Sequence, residues 1–479
     1  MVQSLAMSIP DMTHELWRWS ATDLAAAIAR GDISCREAVA SCLERTAAVN
    51  PIINAATEIL AEEAFQAADT ADAKVRRKEQ LPPLHGVPVS TKVNVDQAGR
   101  ATTNGVRRYQ NVIATEDSPA VSNLRKAGAI PIARTNTPAF SVRWFTSNAL
   151  HGRTINPRNA ALTAGGSSGG ASAAVAAGMG PLAHGNDQGG SVRYLAYACG
   201  VYGLRPGLGR VPAFNPSAAE ERLPATQLSS VQGILARSVN DIRLGLQALS
   251  ARDVRDPWWV PATPLEPSPG YRRVALCTSL PGYTADTAVA HALQTAARQL
   301  SDAGFEVEEV APPRFQEAAD LWLSLTAAEA RMNMLEAALE HGDPEIRHAL
   351  PAMVNLAPEL DLPGYMRALA LRSSLHREWS VFFERHPLLL LPTSWQTPFA
   401  AEADQAGGDT MRRLLDAQSP LLATAILGLP GLAVPLASAG DTPMGVQLVG
   451  ARFSEELLLD AAEVLEAAQP AVTPIDPAP

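Results

Sequence analysis

Residues 163–193 read TAGGSSGGASAAVAAGMGPLAHGNDQGGSVR, and two serine sites in this stretch sit inside glycine runs, Ser167 with Ser168 and then Ser191. An alanine-rich run of helical character separates them. Glycine admits φ > 0 and close approach of a ligand to the backbone, but it costs chain entropy wherever that freedom goes unused. A serine between glycines keeps an accessible hydroxyl and leaves nearby N–H groups free to donate to an incoming oxygen. The stretch is therefore either a site or a pair of flexible surface loops, because Gly/Ser clusters also populate loops.

Upstream, residues 84–96 (LHGVPVSTKVNVD) alternate with period two, as a strand does. Val87, Val89, Thr91, Val93 and Val95 face one way, and Ser90, Lys92, Asn94 and Asp96 the other. A lysine in a valine-rich strand has two readings. On an edge strand its side chain is solvated; in an interior strand, desolvation lowers its pKa and makes it a proton acceptor.

Strands and helices alternate along the flanks. Ser20 caps a helix over 21–30 that Gly31 ends, and Ser34 caps a second one to about Val49, where Asn50-Pro51 breaks it. A helix over 117–127 and a short buried strand over 129–133 (AIPIA) follow, with the polar loop Arg134-Thr135-Asn136-Thr137-Pro138 at the strand's end. Further strands are predicted at 199–204, 273–277, 305–310, 387–391, 431–436 and 445–449. Further helices are predicted at 238–249, 286–303, 315–340, 343–350, 415–428 and 454–468. This order predicts an α/β fold with a parallel or mixed sheet. The Pro-rich stretch 256–270 reads as a linker or wrapped surface segment, and the tail 470–479, with four prolines, as poorly ordered.

At 479 residues, with 47% hydrophobic and 18% charged, the chain can bury a sizeable core. Its net charge of -10 argues against nucleic acid or an anionic membrane as partner, since either needs clustered Lys and Arg. Cys35, Cys42, Cys199 and Cys277 show no C-x-x-C spacing and read as free, mostly buried thiols of a reducing compartment. The N-terminus lacks the charged start and apolar run of a secretory signal, and the most apolar window, 421–437, is broken by Pro430 and Pro435. Cytoplasmic localisation without a membrane span is the expectation.

Several chemistries fail on context. GSSGG at 166–170 matches G-x-S-x-G around Ser168, but the preceding 156–163 (NPRNAALT) is turn-like rather than a strand, and no histidine stands out as a base. No Gly-Lys-Ser/Thr follows the glycines to make a phosphate loop, and no H-E-x-x-H suggests a metal. His341 and His348 would lie about 10 Å apart along a helix, awkward for one ion. A serine activated by a neutral lysine remains, a combination that uses no histidine, metal or cofactor.

Here the motifs converge. Lys92 in G-V-P-V-S-x-K, GGSSGG at 165–170 and D-x-G-G-S-x-R at 187–193 together resemble the amidase signature family, as does the separation of 24 positions between Ser167 and Ser191. Residues 20–54 are similar to its helical start, 134–138 to its Lys/Arg-Thr-Asn loop, and 428–452 to its closing section. The resemblance implies a single domain over 1–469 with a helical N-terminal layer, built as one large mixed β-sheet covered by helices on both faces. It implies Ser191 as nucleophile, Ser167 as a bridging serine after a cis peptide, and Lys92 as terminal base. The N–H groups of Gln188, Gly189, Gly190 and Ser191 would form the oxyanion hole. Asp187 and Arg193 would brace this loop, Ser168 would support the relay, and Ser141 and Val142, after Phe140, would line the substrate pocket.

The implied reaction is hydrolysis of a carboxamide to acid and amine, with no metal and no cofactor. A carbamate or ester hydrolase using the same relay is the alternative, and one component of a tRNA-dependent amidotransferase stands behind both. The implied partner is a small amide substrate, and a homodimer is allowed for. Activity is expected to rise with pH as Lys92 loses its proton. Leu195, Gly207, Ile234, Ala139 and Gln188 depart from the family's usual residues and bear on substrate preference and local rigidity.

Overall fold

The computed structural model describes residues 15–262 and 272–477. Strands β1 (Ala56–Ile59), β2 (Pro88–Lys92), β3 (Ile130–Thr135), β4 (Leu182–Asp187), β5 (Tyr202–Arg205), β6 (Val231–Ala236), β7 (Arg273–Leu276), β8 (Glu306–Glu309), β9 (Leu388–Leu391), β10 (Gly431–Ala439) and β11 (Thr442–Gly450) form one 11-stranded sheet. Their order is β1-β3-β2-β4-β6-β5-β10-β11-β9-β7-β8. The sheet is mixed: β2 runs parallel to β3 and β4, whereas β4, β6, β5, β10 and β11 pair antiparallel in turn. Every residue of β2, β3 and β6 is buried, which requires cover on both faces of the sheet.

This resolves the two readings of Lys92. Its strand is interior, held between β3 and β4, and the side chain is fully buried. The strand is also shorter than the alternation in the sequence. Beyond Lys92 the backbone turns, so Asn94 leaves the ladder and reaches the site from a loop.

The helical start follows its caps. Ser20 accepts from the Asp23 N–H and Gly31 takes the left-handed conformation at the end of Ala21–Arg30, while Ser34 and Glu37 form a reciprocal cap on Cys35–Ile53. Pro51 does not break that second helix. It lies inside the last turn, so the ladder bond its missing N–H forfeits is followed by only two more helical residues, and the helix ends at Asn54 with φ 48°.

Other departures have similar causes. Residues 199–204 are not one strand: Cys199 ends the helix Arg193–Cys199, Gly200 turns the chain at φ 66°, and only Tyr202 onward joins the sheet. The segment 315–340 is helical throughout, with a π-helical turn at Ala330–Met334, whereas 415–428 falls across two helices, Thr410–Ala417 and Ser419–Ile426, and the 24-residue helix Leu362–Arg385 has too much polar surface to announce itself by a clean apolar face. The proline-rich tail is docked up to residue 477. The Ile475 N–H donates to the Ala176 carbonyl, Arg45 donates to the Ile475 carbonyl at 2.8 Å, and Asp476 pairs with Arg45 at 2.6 Å. Residues 263–270 of the Pro-rich connection, and 1–14 with the expected absence of a signal, lie outside the described residues. No described helix is long and apolar enough to cross a membrane.

Candidate active site

The C-terminal ends of β2 and β4 and the start of the alanine-rich helix Gly169–Ala176 meet at one point. From β2, the Lys92 Nζ lies 2.7 Å from the Ser167 Oγ and 2.7 Å from the Asn186 Oδ1. The Gly166–Ser167 peptide is cis. Burial drives the Lys92 amine well below its usual pKa, and the nearby Asp187 charge opposes this only in part. A lysine so placed is shifted toward its neutral amine and touches a serine hydroxyl. Asn186 is itself fixed, because its Nδ2 donates to the Asn94 Oδ1 at 3.0 Å and Asn94 in turn donates to the Ser141 Oγ.

Beyond β4, one carboxylate organises the next loop. Asp187 accepts from the N–H groups of Gly190 at 2.8 Å and Val192 at 3.1 Å, and from the Arg193 guanidinium at 2.9 and 3.0 Å. Arg205 donates to the Asp187 backbone carbonyl at 2.6 Å. Burial pushes this carboxyl up, but Arg193 and Arg205 outweigh it and hold it far below the usual carboxylate range. The bracing expected of Asp187 and Arg193 is present in these contacts. Ser168 adds another tie, donating to the Ser191 carbonyl at 2.7 Å.

The Gly190 contact corrects one expectation. Its N–H, at φ 109°, is committed to Asp187 rather than left open to an oxyanion. The N–H groups of Gln188, Gly189 and Ser191 have no acceptor among the described residues. Two indoles set the intervening peptides: Trp322 Nε1 donates to the Gln188 carbonyl at 2.7 Å and Trp144 Nε1 to the Gly189 carbonyl at 2.9 Å. In a trans peptide the C=O and the next N–H point opposite ways, so holding the Gln188 carbonyl also fixes the Gly189 N–H.

Ser167, Ser191, Gln188 and Gly189 open onto a cavity of about 690 Å³, whose wall also includes Ser141, Val142, Trp144 and Trp322. The pocket residues expected after Phe140 are therefore on its surface. Among the departures from the family pattern only Gln188 lines this cavity. Leu195 packs against Gly165 and Ile234 against Gly245 in the core, and the Gly207 N–H donates to Glu455. Ala139 is buried outside the wall.

The sequence matches the Amidase family over residues 37–459. The chain belongs to the amidase family. It is 44% identical over 453 residues to an indoleacetamide hydrolase of Bradyrhizobium diazoefficiens, covering 94% of this chain and 86% of that protein. It is 30% identical to one component of the glutamyl-tRNA(Gln) amidotransferase of Moorella thermoacetica, covering 94% of this chain and 97% of that one. Among solved structures, a 6-aminohexanoate cyclic dimer hydrolase complexed with substrate superposes with a TM-score of 0.80 at 28% identity, covering 96% of this chain and 98% of that one.

Several residues of the amidase's site stand outside its motifs. Asn186 and His184 lie two apart on β4 and both meet Lys92, Asn186 at the amine and His184 through its Nδ1, which accepts the Lys92 N–H at 3.5 Å. Burial, chiefly, lowers His184 to about 4, and its Nε2 lies 2.8 Å from the Gln232 Oε1. That polar pair at period two in LAHGND was the available signal. Trp322 gave none, and Trp144, readable from the sequence as pocket lining or core, gave no sign of its donor role, because a tryptophan that reaches a distant carbonyl reads like any core aromatic.

Proposed function

We propose that this enzyme hydrolyses the C–N bond of a carboxamide through a serine acyl-enzyme, with Ser191 as nucleophile, Ser167 as proton bridge and Lys92 as base. The observation that carries the reading is the 2.7 Å contact between the buried Lys92 amine and Ser167, on the wall of a cavity shared with Ser191. Neutral Lys92 accepts the Ser167 proton while Ser167 accepts that of Ser191, whose oxygen attacks the carbonyl carbon. The relay then returns the proton to the leaving amine, and water releases the acid by the same steps. The N–H groups of Gln188, Gly189 and Ser191 hold the oxyanion, and each such donor lowers the barrier by about 3 kcal/mol.

The substrate class we propose is a small primary amide of an arylacetic acid. The indoleacetamide hydrolase relative supports it, as does an aromatic and apolar wall of Phe140, Trp144, Trp322, Leu350 and Met353. Cytoplasmic localisation belongs to the same reading and draws on four free, buried cysteines. The test is a panel of indoleacetamide, an anilide, a carbamate and a p-nitrophenyl ester, run on the wild type, Ser191→Ala and Lys92→Ala. Ammonia release from indoleacetamide that vanishes in both variants is expected. Unchanged turnover in Ser191→Ala refutes the relay, and faster turnover of the carbamate or ester reassigns the substrate.

A further inference from the structure

A second cavity, of about 210 Å³, shares no lining residue with the first. Arg372, Ser373 and His376 reach it from the helix Leu362–Arg385, and Arg452 from the loop after β11. Leu208, Leu228 and the half-exposed Trp258 complete its wall. Arg372 and His376 are four apart and therefore share one helix face.

What distinguishes this pocket is positive charge without an ion-pair partner, the Arg452 guanidinium lying over the Phe453 ring at 4.8 Å. Arg372 spends its Nε on the Ile426 carbonyl at 2.6 Å and reaches the Leu228 carbonyl only at 3.5 Å. Arg452 gives one nitrogen to the Leu208 carbonyl at 2.8 Å, while its Nε is buried with no partner. The His376 Nε2 is likewise buried without a partner. Neither arginine forms an ion pair among the described residues. The one carboxylate that Arg452 feels, Glu455, is engaged by the Gly207 N–H and lies 3.9 Å from Arg210. Burial and then the neighbouring Arg452 lower Arg372 to about 10, and burial with both arginines lowers His376 to about 4. Charges and donors placed this way are costly to bury without an acceptor.

We propose that this cavity is a binding site for a small oxyanion, carried either by an organic carboxylate or by free phosphate. Two guanidiniums offer forked donors to such an oxygen pair, and the His376 Nε2 and Ser373 hydroxyl add further polar groups. Leu208, Leu228 and the Trp258 ring suit a short apolar or aromatic body on the carboxylate. The site does not depend on the catalytic reading, because none of its residues belongs to the relay or its loop.

The test is calorimetric titration of the full chain with inorganic phosphate and, separately, with phenylacetate at low ionic strength, for the wild type, Arg452→Gln and His376→Gln. Saturable binding that weakens about tenfold or more in either variant is expected, since each removes a donor to a charged group. Binding of phosphate alone identifies the free anion as the source, and of phenylacetate alone an organic acid. Any phenylacetate binding that survives Arg452→Gln unchanged belongs to the catalytic cavity. No binding of either probe, or binding indifferent to both substitutions, overturns the proposal. Circular dichroism of each variant separates a lost site from a lost fold, and Arg452→Lys, which keeps the charge, should retain part of the affinity.

Discussion

Asn186→Asp exchanges one atom type at 2.7 Å from the Lys92 amine and so probes the base directly. The substitution keeps the acceptor and adds a negative charge. A unit charge about 4 Å away at an effective dielectric of about 20 interacts by roughly 4 kcal/mol, or about three pH units on Lys92. Burial of the new carboxylate raises its own pKa and consumes part of this, so a shift of about one to three units is the expected range. The sign follows from which form works. The base is the neutral amine, a carboxylate stabilises the ammonium, and more alkaline solution is then needed to deprotonate it. The rising limb of log(kcat/KM) against pH, followed by ammonia release between about pH 6 and 10, should move upward. At pH 7 the variant should be about tenfold slower or worse, and it should recover toward wild type in alkali. Asn186→Ala, which adds no charge, should slow the enzyme without that upward shift. A limb that stays in place, or moves to lower pH in Asn186→Asp, would refute the assignment of Lys92 as the titrating base.

Trp322→Phe keeps the ring on the cavity wall but removes the donor to the Gln188 carbonyl, so kcat should fall about tenfold, in line with roughly 1–1.5 kcal/mol for one hydrogen bond. An unchanged kcat with a raised KM would mean that the ring packs against substrate and nothing more. Asp187→Asn leaves Arg193 and Arg205 buried without their counter-charge and should cost about 3–5 kcal/mol of stability, read by denaturant unfolding. Because the folded pKa of Asp187 is depressed, its contribution is present above the ordinary value of 3.8 and is lost only as pH falls through the lower folded value. The stability gap between wild type and Asp187→Asn should therefore be constant at neutral pH and narrow in acid.

The parts of the molecule that were legible in the sequence were those where chemistry and local structure share residues. Ser20 and Ser34 announce helix starts because a cap acts within one turn. Lys92, GGSSGG and D-x-G-G-S-x-R together point to the relay, and the structure brings Lys92 to Ser167 and places both serines on one cavity. Strands β1, β4 and β6 were not legible. β4 and β6 are buried almost throughout and β1 is a four-residue edge strand, so no alternation marks them; Gly185 and Gly233 pair across β4 and β6, and a Cβ at Gly233 would meet the Leu204 carbonyl oxygen of β5. The Gly190 N–H contact was also hidden, since the motif gives the order of residues but not which way each peptide faces. Whether Lys92 was interior or on an edge depended on strand order, a property of contacts between distant segments.

The two indole clamps also bear on any attempt to redesign this enzyme. Trp322 is at once part of the cavity wall and the donor that orients the Gln188–Gly189 peptide, and a side chain added at Gly189 would come within 2.5 Å of its ring. Enlarging the pocket by trimming this tryptophan therefore loosens the turnover machinery in the same stroke. Breadth of substrate and speed of reaction are mechanically joined at one residue, and a broader variant must find another way to hold that carbonyl.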